Sequence, residues 1–150
     1  MKTLTLLLFA VLLTVADRPA AQHVPDIKGI TAKVKLEEVV SGHLAELNGK
    51  YKLRVTEVIF EPGGHLGEHH HAGPGIRFVA SGTLTFTQAG QVTIYRAGDY
   101  FFESGNVVHT AHNKTVHTAH NKTRSPARAV FFEILPAEWT SSSVIPPKAY

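Results

Sequence analysis

The chain has no cysteine, and this absence limits the chemistry that its 150 residues can carry. Without cysteine there are no disulfides and no thiolate metal site, so any metal ligand must be a nitrogen or oxygen donor. The chain also has no large excess of positive charge, since its formal net charge is only +3. No run of lysine or arginine could follow a phosphate backbone. A disulfide scaffold, a thiolate zinc site and nucleic-acid binding are therefore not expected.

Long apolar runs are scarce as well. The most extended apolar stretch lies near the N-terminus, between Leu4 and Val15, and it is too short for a confident membrane span. It follows a lysine, ends in small residues and is closed by Asp17-Arg18-Pro19, which is the pattern of a secretory signal peptide. We predict a signal peptide over residues 1–16, extending at most to about residue 21, and a secreted or periplasmic protein with no membrane partner after cleavage. An uncleaved membrane anchor stays open as the alternative.

No helical period of any length is found, and the pattern is instead one of short β-rich runs separated by turn residues. The length suits one domain. Turns such as Asn48-Gly49 and Ala89-Gly90 delimit the runs. We predict strands over residues 32–40, 51–60, 65–71, 76–80, 83–88, 91–96, 100–103, 107–113 and 128–135. This all-β pattern predicts a sandwich, jelly roll or barrel, with an extended N-terminal arm before it and a C-terminal strap over residues 136–150 after it.

Histidine is the residue in excess, with ten in the chain. His69 and His71 are two positions apart in a predicted strand, so their β-carbons share a face about 7 Å apart and both imidazoles can converge on one ion at about 2.1 Å. A third ligand must come from another strand, and His109 is the natural candidate. The plainer alternatives are isolated surface or core histidines, or an exposed histidine tract that picks up metal adventitiously.

An exact repeat complicates the choice of the third histidine. Residues 108–115 are repeated letter for letter as residues 116–123, so His117 is the copy of His109. If both copies continued one strand, these two histidines would be roughly 26 Å apart at about 3.3 Å per residue, and only one could reach the ion. We predict that His109 is the ligand and that the second copy loops out at the barrel edge, with His117 as the alternative.

Two segments resemble the two sequence motifs of the cupin superfamily. The first motif has a glycine, two histidines separated by one residue, a glutamate and a second glycine, and the second motif has a glycine, a histidine and an asparagine. The matching residues are Gly63, His69, His71 and Gly82 in the first segment and Gly98, His109 and Asn113 in the second. The resemblance covers about residues 32–135, and it implies a single jelly-roll β-barrel with a metal ion in its mouth.

One departure from the family pattern concerns the metal. The family's glutamate, commonly the fourth protein ligand, falls at Gly75, which has no side chain to donate. The resemblance then implies a centre of three histidines completed by water or by another residue, for which the candidates are Glu57, Glu61, His65 and Glu103. A site of this kind suits several divalent metals, and we predict Fe(II) or Zn(II) first, with Mn, Ni or Cu as alternatives.

Three further residues are candidates for roles beyond metal binding. Alternation along residues 51–59 places Glu57 among apolar neighbours, either as a strand-end residue near water or as an acid in a pocket. We predict Glu57 or Glu103 as a proton acceptor. Arg77 shares the face on which the missing glutamate would have lain, so it either anchors a substrate carboxylate with its fork of donors or points to solvent.

The function implied by the resemblance is metal-dependent chemistry. Three-histidine cupins include dioxygenases, so we expect a mononuclear-metal oxygenase acting on a small organic substrate. A non-catalytic protein that binds metal or a small ligand is the alternative, and so is a sugar or keto-acid isomerase or lyase that uses Arg77 and Glu57. The expected partners are a small-molecule ligand and, as an open option, a second copy of the chain in a homodimer.

Overall fold

The computed structural model describes residues 25–113 and 125–147, and its regular elements are β-strands. These are β1 (Ile27–Val39), β2 (Tyr51–His71), β3 (Gly75–Ser81), β4 (Thr83–Gln88), β5 (Gln91–Arg96), β6 (Tyr100–Glu103), β7 (His109–His112), β8 (Ala127–Pro136) and β9 (Val144–Ile145). The described ranges hold no helix, and hence no helix long and apolar enough to cross a membrane. The predicted signal peptide, His117 and the last residues of the predicted strap lie outside the described residues.

The strands form one antiparallel sheet that curls into a nearly closed barrel. Its order is β5-β4-β7-β2-β8-β3-β6, and β1 and β9 also pair with β2. Residues 51–60 of β2 pair with β8, whereas residues 65–69 of the same strand pair with β7. Because β2 belongs to both halves of the barrel, it brings side chains of distant segments together. The predicted all-β jelly-roll fold is confirmed.

The length of β2 differs from the prediction of two strands separated by a turn at Pro62-Gly63-Gly64. Gly63 has a φ of 75° here, a left-handed conformation that glycine adopts without strain. A β-carbon on Gly64 would lie 2.5 Å from the carbonyl oxygen of Gly29, so β1 and β2 approach each other more closely than side chains allow. The glycines therefore bend the strand without ending it, as β-bulges do.

The hydrophobic core lies inside the barrel. Its buried members are Val58, Phe60, Leu66, Val79, Leu84, Ala127, Ala129 and Phe131, which come from β2, β3, β4 and β8. Each large apolar side chain buried in this way contributes roughly 1.5–3 kcal/mol to stability. The interior is not wholly apolar, however, since His69, Arg77 and Glu133 are among the largest fully buried side chains. The barrel therefore encloses a polar cluster beside its core.

Near the start of β2, the charged side chains lie on the inward face of the strand. Lys52 and Arg54 are buried, whereas Tyr51 and Leu53 point outward. Arg54 donates to Glu37 of β1 and to the carbonyl oxygens of Trp139 and Ser141 at 3.1 and 2.8 Å. The C-terminal strap thus covers this end of the barrel and supplies acceptors to a buried cation.

The outer surface of strands β2, β8, β3 and β6 is apolar. We define the outer apolar face as Leu53, Ile76, Tyr100, Phe102, Phe132 and Ile134, whose side chains are 40% to 67% exposed. Leu53 pairs with Ile134 across β2 and β8, and Ile76 pairs with both Phe132 and Phe102. These side chains are therefore neighbours on one continuous surface.

Candidate metal centre

Three buried histidines meet inside the barrel. His69 and His71 lie on β2 and His109 on β7, and one ring nitrogen from each lies within 4.8 Å of the others. Their ring centroids are 4.2 Å (His69 to His109), 4.9 Å (His69 to His71) and 5.2 Å (His71 to His109) apart. Two features of the strands bring the rings together. Residues i and i+2 of a strand share a face, and His69 pairs directly with His109 across β2 and β7.

The backbone fixes which nitrogen of two rings is free. Nδ1 of His69 donates to the carbonyl oxygen of Gly67 at 2.7 Å, and Nδ1 of His109 donates to that of Val107 at 2.9 Å. A carbonyl can only accept, so the proton of each neutral ring must reside on Nδ1. The Nε2 atoms therefore keep their lone pairs, and such outer hydrogen bonds are what orient histidine ligands in metal sites.

Two carboxylates lie against the third histidine. Nε2 of His71 is 3.1 Å from Oε2 of Glu103, and its Nδ1 is 3.3 Å from Oε1 of Glu133. The other oxygen of Glu103 lies 3.2 Å from Nε2 of His109. These contacts are close but lack hydrogen-bond geometry, and both ring nitrogens of His71 and Nε2 of His109 have no hydrogen-bond partner. Buried nitrogens of this kind usually have one.

Arg77 joins the two carboxylates through the same oxygens that contact His71. Its Nε donates to Glu103 Oε2 at 2.6 Å and its Nη2 to Glu133 Oε1 at 3.2 Å, while its guanidinium stacks over Phe131 at 4.4 Å. Glu133 also accepts from the hydroxyl of Ser143 at 2.8 Å. With neutral imidazoles, one guanidinium against two carboxylates leaves the cluster with an excess negative charge.

The pKa values agree with neutral rings beside ionised acids. Burial, with a further effect from the His109 ring, lowers the pKa of His69 to about 3. Burial is also the main reason that the pKa of His71 lies below its ordinary value. For Glu103, burial acts to raise the pKa, but the contacts with His109, Arg77 and His71 outweigh it and lower the value to about 2. Near neutral pH the imidazoles of His69 and His71 can act as ligands, and Glu103 is a carboxylate.

These observations fit a bound divalent cation. The cluster offers imidazole nitrogens without a partner and a net negative charge, both of which are costly to bury unless a cation compensates them. The donors are those that first-row transition metals prefer, and thiolates are absent. The three histidines predicted as ligands are thus brought together, and they could hold a metal ion.

Aromatic side chains line the barrel beside His109. The ring of Phe86 lies 4.8 Å from that of His109 and 5.3 Å from that of Phe101, and Phe101 stacks on Tyr95 at 4.1 Å. These rings come from β4, β5 and β6, so the apolar wall belongs to the half of the barrel that carries His109. Such a wall restricts water around the histidines and lowers the local dielectric constant.

Several predicted site residues lie elsewhere. Glu57 is on the outer side of β2, where it pairs with Lys35 at 3.2 Å and with Arg128. Glu61 is exposed, and His65 pairs with Asp26 at 2.9 Å. Of the residues considered for the position next to the histidines, the structure brings only Glu103 into the cluster. Proton transfer by Glu57 or Glu103 stays a prediction.

The structure locates Arg77 inside the barrel and not in solvent. Its side chain is buried and already paired with two protein carboxylates, so a substrate acid would have to compete with both. Glu133 was missed, although β8 carries a signal for it: residues 127, 129, 131, 133 and 135 alternate as the buried face of the strand. A lone acid on an otherwise apolar face of a strand indicates a buried polar contact.

Comparison with known proteins agrees with this geometry. Residues 56–120 match the family model described as "Cupin domain". No curated protein sequence matches the chain. The matched segment contains all three histidines and Glu103.

Three solved structures illustrate the shared fold. The polyketide cyclase RemF from Streptomyces resistomycificus is 16% identical with a TM-score of 0.56, and the match covers 84% of this chain and 76% of that one. An RmlC-like cupin from Shewanella frigidimarina is 17% identical with a TM-score of 0.51, covering 83% and 94%. A salicylate 1,2-dioxygenase variant from Pseudoaminobacter salicylatoxidans, in complex with gentisate, is 15% identical with a TM-score of 0.51, covering 70% and 25%.

Proposed function

Since the chain belongs to the cupin superfamily, we propose that it is an exported protein that holds one divalent metal ion and acts as an oxygenase on a small organic substrate. The observation that carries the metal site is the convergence of His69, His71 and His109 with ring nitrogens that have no protein partner. Fe(II) is the metal we propose for this chemistry, with Zn(II) as the choice for a protein that is not an oxygenase.

The chain's own residues would hold and shield the ion. The carbonyl oxygens of Gly67 and Val107 keep His69 and His109 in the tautomer that presents Nε2. The aromatic wall of Phe86, Phe101 and Tyr95 excludes water on one side. A bound Fe(II) ion would supply a common point at which an organic substrate and O₂ meet in reacting geometry.

Glu103 suits charge balance better than proton transfer. A general base works best when its pKa lies near the working pH, and the pKa of Glu103 is lowered to about 2 by its neighbours despite burial. Its carboxylate is therefore a weak base near neutral pH. Among the predicted acids, Glu57 is paired with two cations on the outer surface and Glu103 is held as a carboxylate, so neither has the surroundings of a typical proton acceptor.

The test is metal analysis followed by oxygen consumption. The protein, purified without a histidine tag, should contain about one metal ion per chain, and the His109→Gln variant should lose it while His43→Gln keeps it. The Fe(II)-loaded protein should then consume O₂ with a member of a panel of small organic acids. Gentisate and salicylate belong in that panel because a dioxygenase of the same fold binds gentisate. Substoichiometric metal that His109→Gln does not change would contradict the metal site.

A non-catalytic ligand-binding protein is the second candidate, and a cavity favours it. A space of about 480 Å³ lies between β1, β2, β8 and the strap, a size typical of small-ligand pockets. Its lining is largely apolar and includes Glu133, which also contacts His71. Stoichiometric zinc with no oxygen uptake across the panel would favour this candidate over the oxygenase.

For the outer apolar face we propose a second copy of the chain as the partner. Its three aromatic side chains carry roughly 150–250 Å² each, and with 40% to 67% of each of the six side chains exposed the face presents on the order of 500 Å². This is a large part of the roughly 800 Å² per partner in a standard interface. None of the six side chains that define this face carries a charge, and Glu57, at one end of the sheet, is paired with both Lys35 and Arg128. A two-fold axis through a neutral apolar face makes it self-complementary.

A further inference from the structure

We infer that the carboxylate ligand of this centre has moved from β3 to β6, so that Glu103 binds the ion in place of the glutamate that the family has at position 75. Glu133 then acts as a positioning residue for His71. The inference rests on the proposed metal binding and deepens it. It assigns a fourth protein ligand to a site that otherwise consists of three histidines.

The strand register puts both acids next to the position of the missing glutamate. Gly75 pairs with Glu103 across β3 and β6, and with Glu133 across β3 and β8. Directly paired residues of neighbouring strands project their side chains to the same side of the sheet. Both carboxylates are buried, on the inner face where a side chain at position 75 would have pointed.

Gly75 itself cannot carry a replacement. A β-carbon at this position would lie 2.3 Å from Nη1 of Arg77 and 2.4 Å from the carbonyl oxygen of Phe132. The first contact could be relieved by moving a side chain, but the second is with the backbone of β8 and could not. Arg77 thus occupies the space next to Gly75, and a side chain at position 75 is excluded by the packing of β3 on β8.

The two acids contact different atoms of the histidines. Glu103 spans two rings, with Oε1 at 3.2 Å from Nε2 of His109 and Oε2 at 3.1 Å from Nε2 of His71. Nε2 of His109 is the nitrogen that its Nδ1 hydrogen bond leaves free to bind the ion. Glu133 instead lies at 3.3 Å from Nδ1 of His71, on the opposite edge of the ring. Glu103 therefore lies on the side of the rings where the ion would bind, whereas Glu133 lies against the opposite edge of the His71 ring.

Arg77 keeps Glu103 in place. Its Nε donates to Oε2 of Glu103 at 2.6 Å, and its Nη2 donates to Glu133. Neither of these bonds involves Oε1 of Glu103. One oxygen is thus held by the protein, and the other is directed to His109. This division gives Arg77 a structural task inside the barrel and accounts for its burial beside two acids without a substrate.

The test compares three matched glutamate variants. Glu103→Gln removes the proposed ligand, Glu133→Gln removes the other acid that pairs with the same Arg77, and Glu57→Gln removes an acid on the outer surface. Metal affinity is measured by competition with a chromophoric chelator, and the absorption spectrum of the Co(II)-loaded protein reports the ligand set. Circular dichroism of each metal-free variant shows whether it folds.

We expect Glu133→Gln to weaken metal binding by about 10- to 100-fold, as is typical for a residue that orients a ligand. Glu103→Gln should weaken it by more than about 100-fold and change the Co(II) spectrum, while Glu57→Gln should leave both as in the unchanged protein. If Glu103→Gln does not fold, Glu103→Asp keeps the charge but shortens the reach, and the same loss and spectral change are expected.

The outcomes separate this inference from the proposed function. If the unchanged protein binds no stoichiometric metal, the proposed metal site is wrong. If it binds metal and Glu103→Gln or Glu103→Asp binds it as tightly and with the same Co(II) spectrum, the site is a three-histidine centre and the moved ligand is wrong. Equal losses in Glu103→Gln and Glu133→Gln, without a spectral change, would assign both acids to the support of Arg77 and would likewise overturn the inference.

Discussion

His69 and His109 are paired directly across β2 and β7, with ring centroids 4.2 Å apart and each Nδ1 bonded to the carbonyl oxygen two residues earlier. The same local device therefore orients one ligand in each motif. In both cases the strand backbone supplies the acceptor, so no other side chain is needed to fix the tautomer. Two segments far apart in sequence thus form a preorganised pair, to which His71 is added by the two-residue repeat of β2.

Acid should destabilise the metal-free protein. Burial holds the pKa of His69 at about 3 against an ordinary value of 6.5, so between these pH values the unfolded chain binds a proton that the folded chain does not. The free energy of unfolding therefore falls as the pH falls through this window, by up to about 1.4 kcal/mol per pH unit for each such proton. Urea denaturation with a chelator present, from pH 7.5 to 4, measures this slope.

The His69→Gln variant should show a shallower slope over the same range, because it has lost one of the groups that titrate only in the unfolded chain. His43→Gln, which changes an exposed histidine outside the cluster, serves as the control. A free energy of unfolding that is constant from pH 6.5 to 4 in the unchanged protein would contradict the burial of neutral histidines.

Replacing Gly75 with alanine should destabilise the barrel. The added β-carbon would lie 2.4 Å from the carbonyl oxygen of Phe132, so β3 and β8 would have to separate. Overpacking of this kind costs about 1–3 kcal/mol, occasionally more. Gly90→Ala is a comparison at a turn where a β-carbon meets nothing within 4 Å, although its φ of 77° adds backbone strain there. Urea denaturation showing an unchanged midpoint for Gly75→Ala would contradict the close packing of these strands.

The outer apolar face should make the protein dimeric. Light scattering should give the mass of two chains at micromolar concentrations. Phe102→Ser should shift the equilibrium to one chain, because Phe102, at 67%, is the most exposed side chain of the outer apolar face. Leu44→Ser, which changes a residue that is 64% exposed in a loop, should leave the dimer intact. A monomer at every concentration, with or without binding to lipid vesicles, would contradict a second copy as the partner.

The sequence predicted the short strands well and the long one poorly. Strands β4, β5 and β6 have the predicted bounds because the turns at Ala89-Gly90 and Ala97-Gly98 separate them from one another. The sequence predicts a turn where β2 bends, because glycines that form a bulge between paired strands cannot be told by composition from glycines that end a strand. Whether such glycines bend a strand or end it depends here on pairing with β1, which is distant in sequence.

The histidines were predictable and the acids around them were not. His69, His71 and His109 follow from the two-residue spacing and from the motifs, which are local signals. Glu103 and Glu133 reach the cluster through the pairing of β6 and β8 with β3, and that register is not visible in any one segment. Glu57 is an acid that the sequence predicted near the site and that lies outside it. Its apolar neighbours face the outer surface, because the inward face of β2 carries Arg54, which is buried under the strap.

The most direct test of the central claim is a crystal structure of the metal-loaded protein with anomalous diffraction recorded at the absorption edge of the bound metal. The account predicts one anomalous peak inside the barrel, bonded at about 2.0–2.2 Å by Nε2 of His69, His71 and His109. A peak elsewhere, or no peak in a protein shown to contain stoichiometric metal, would contradict it.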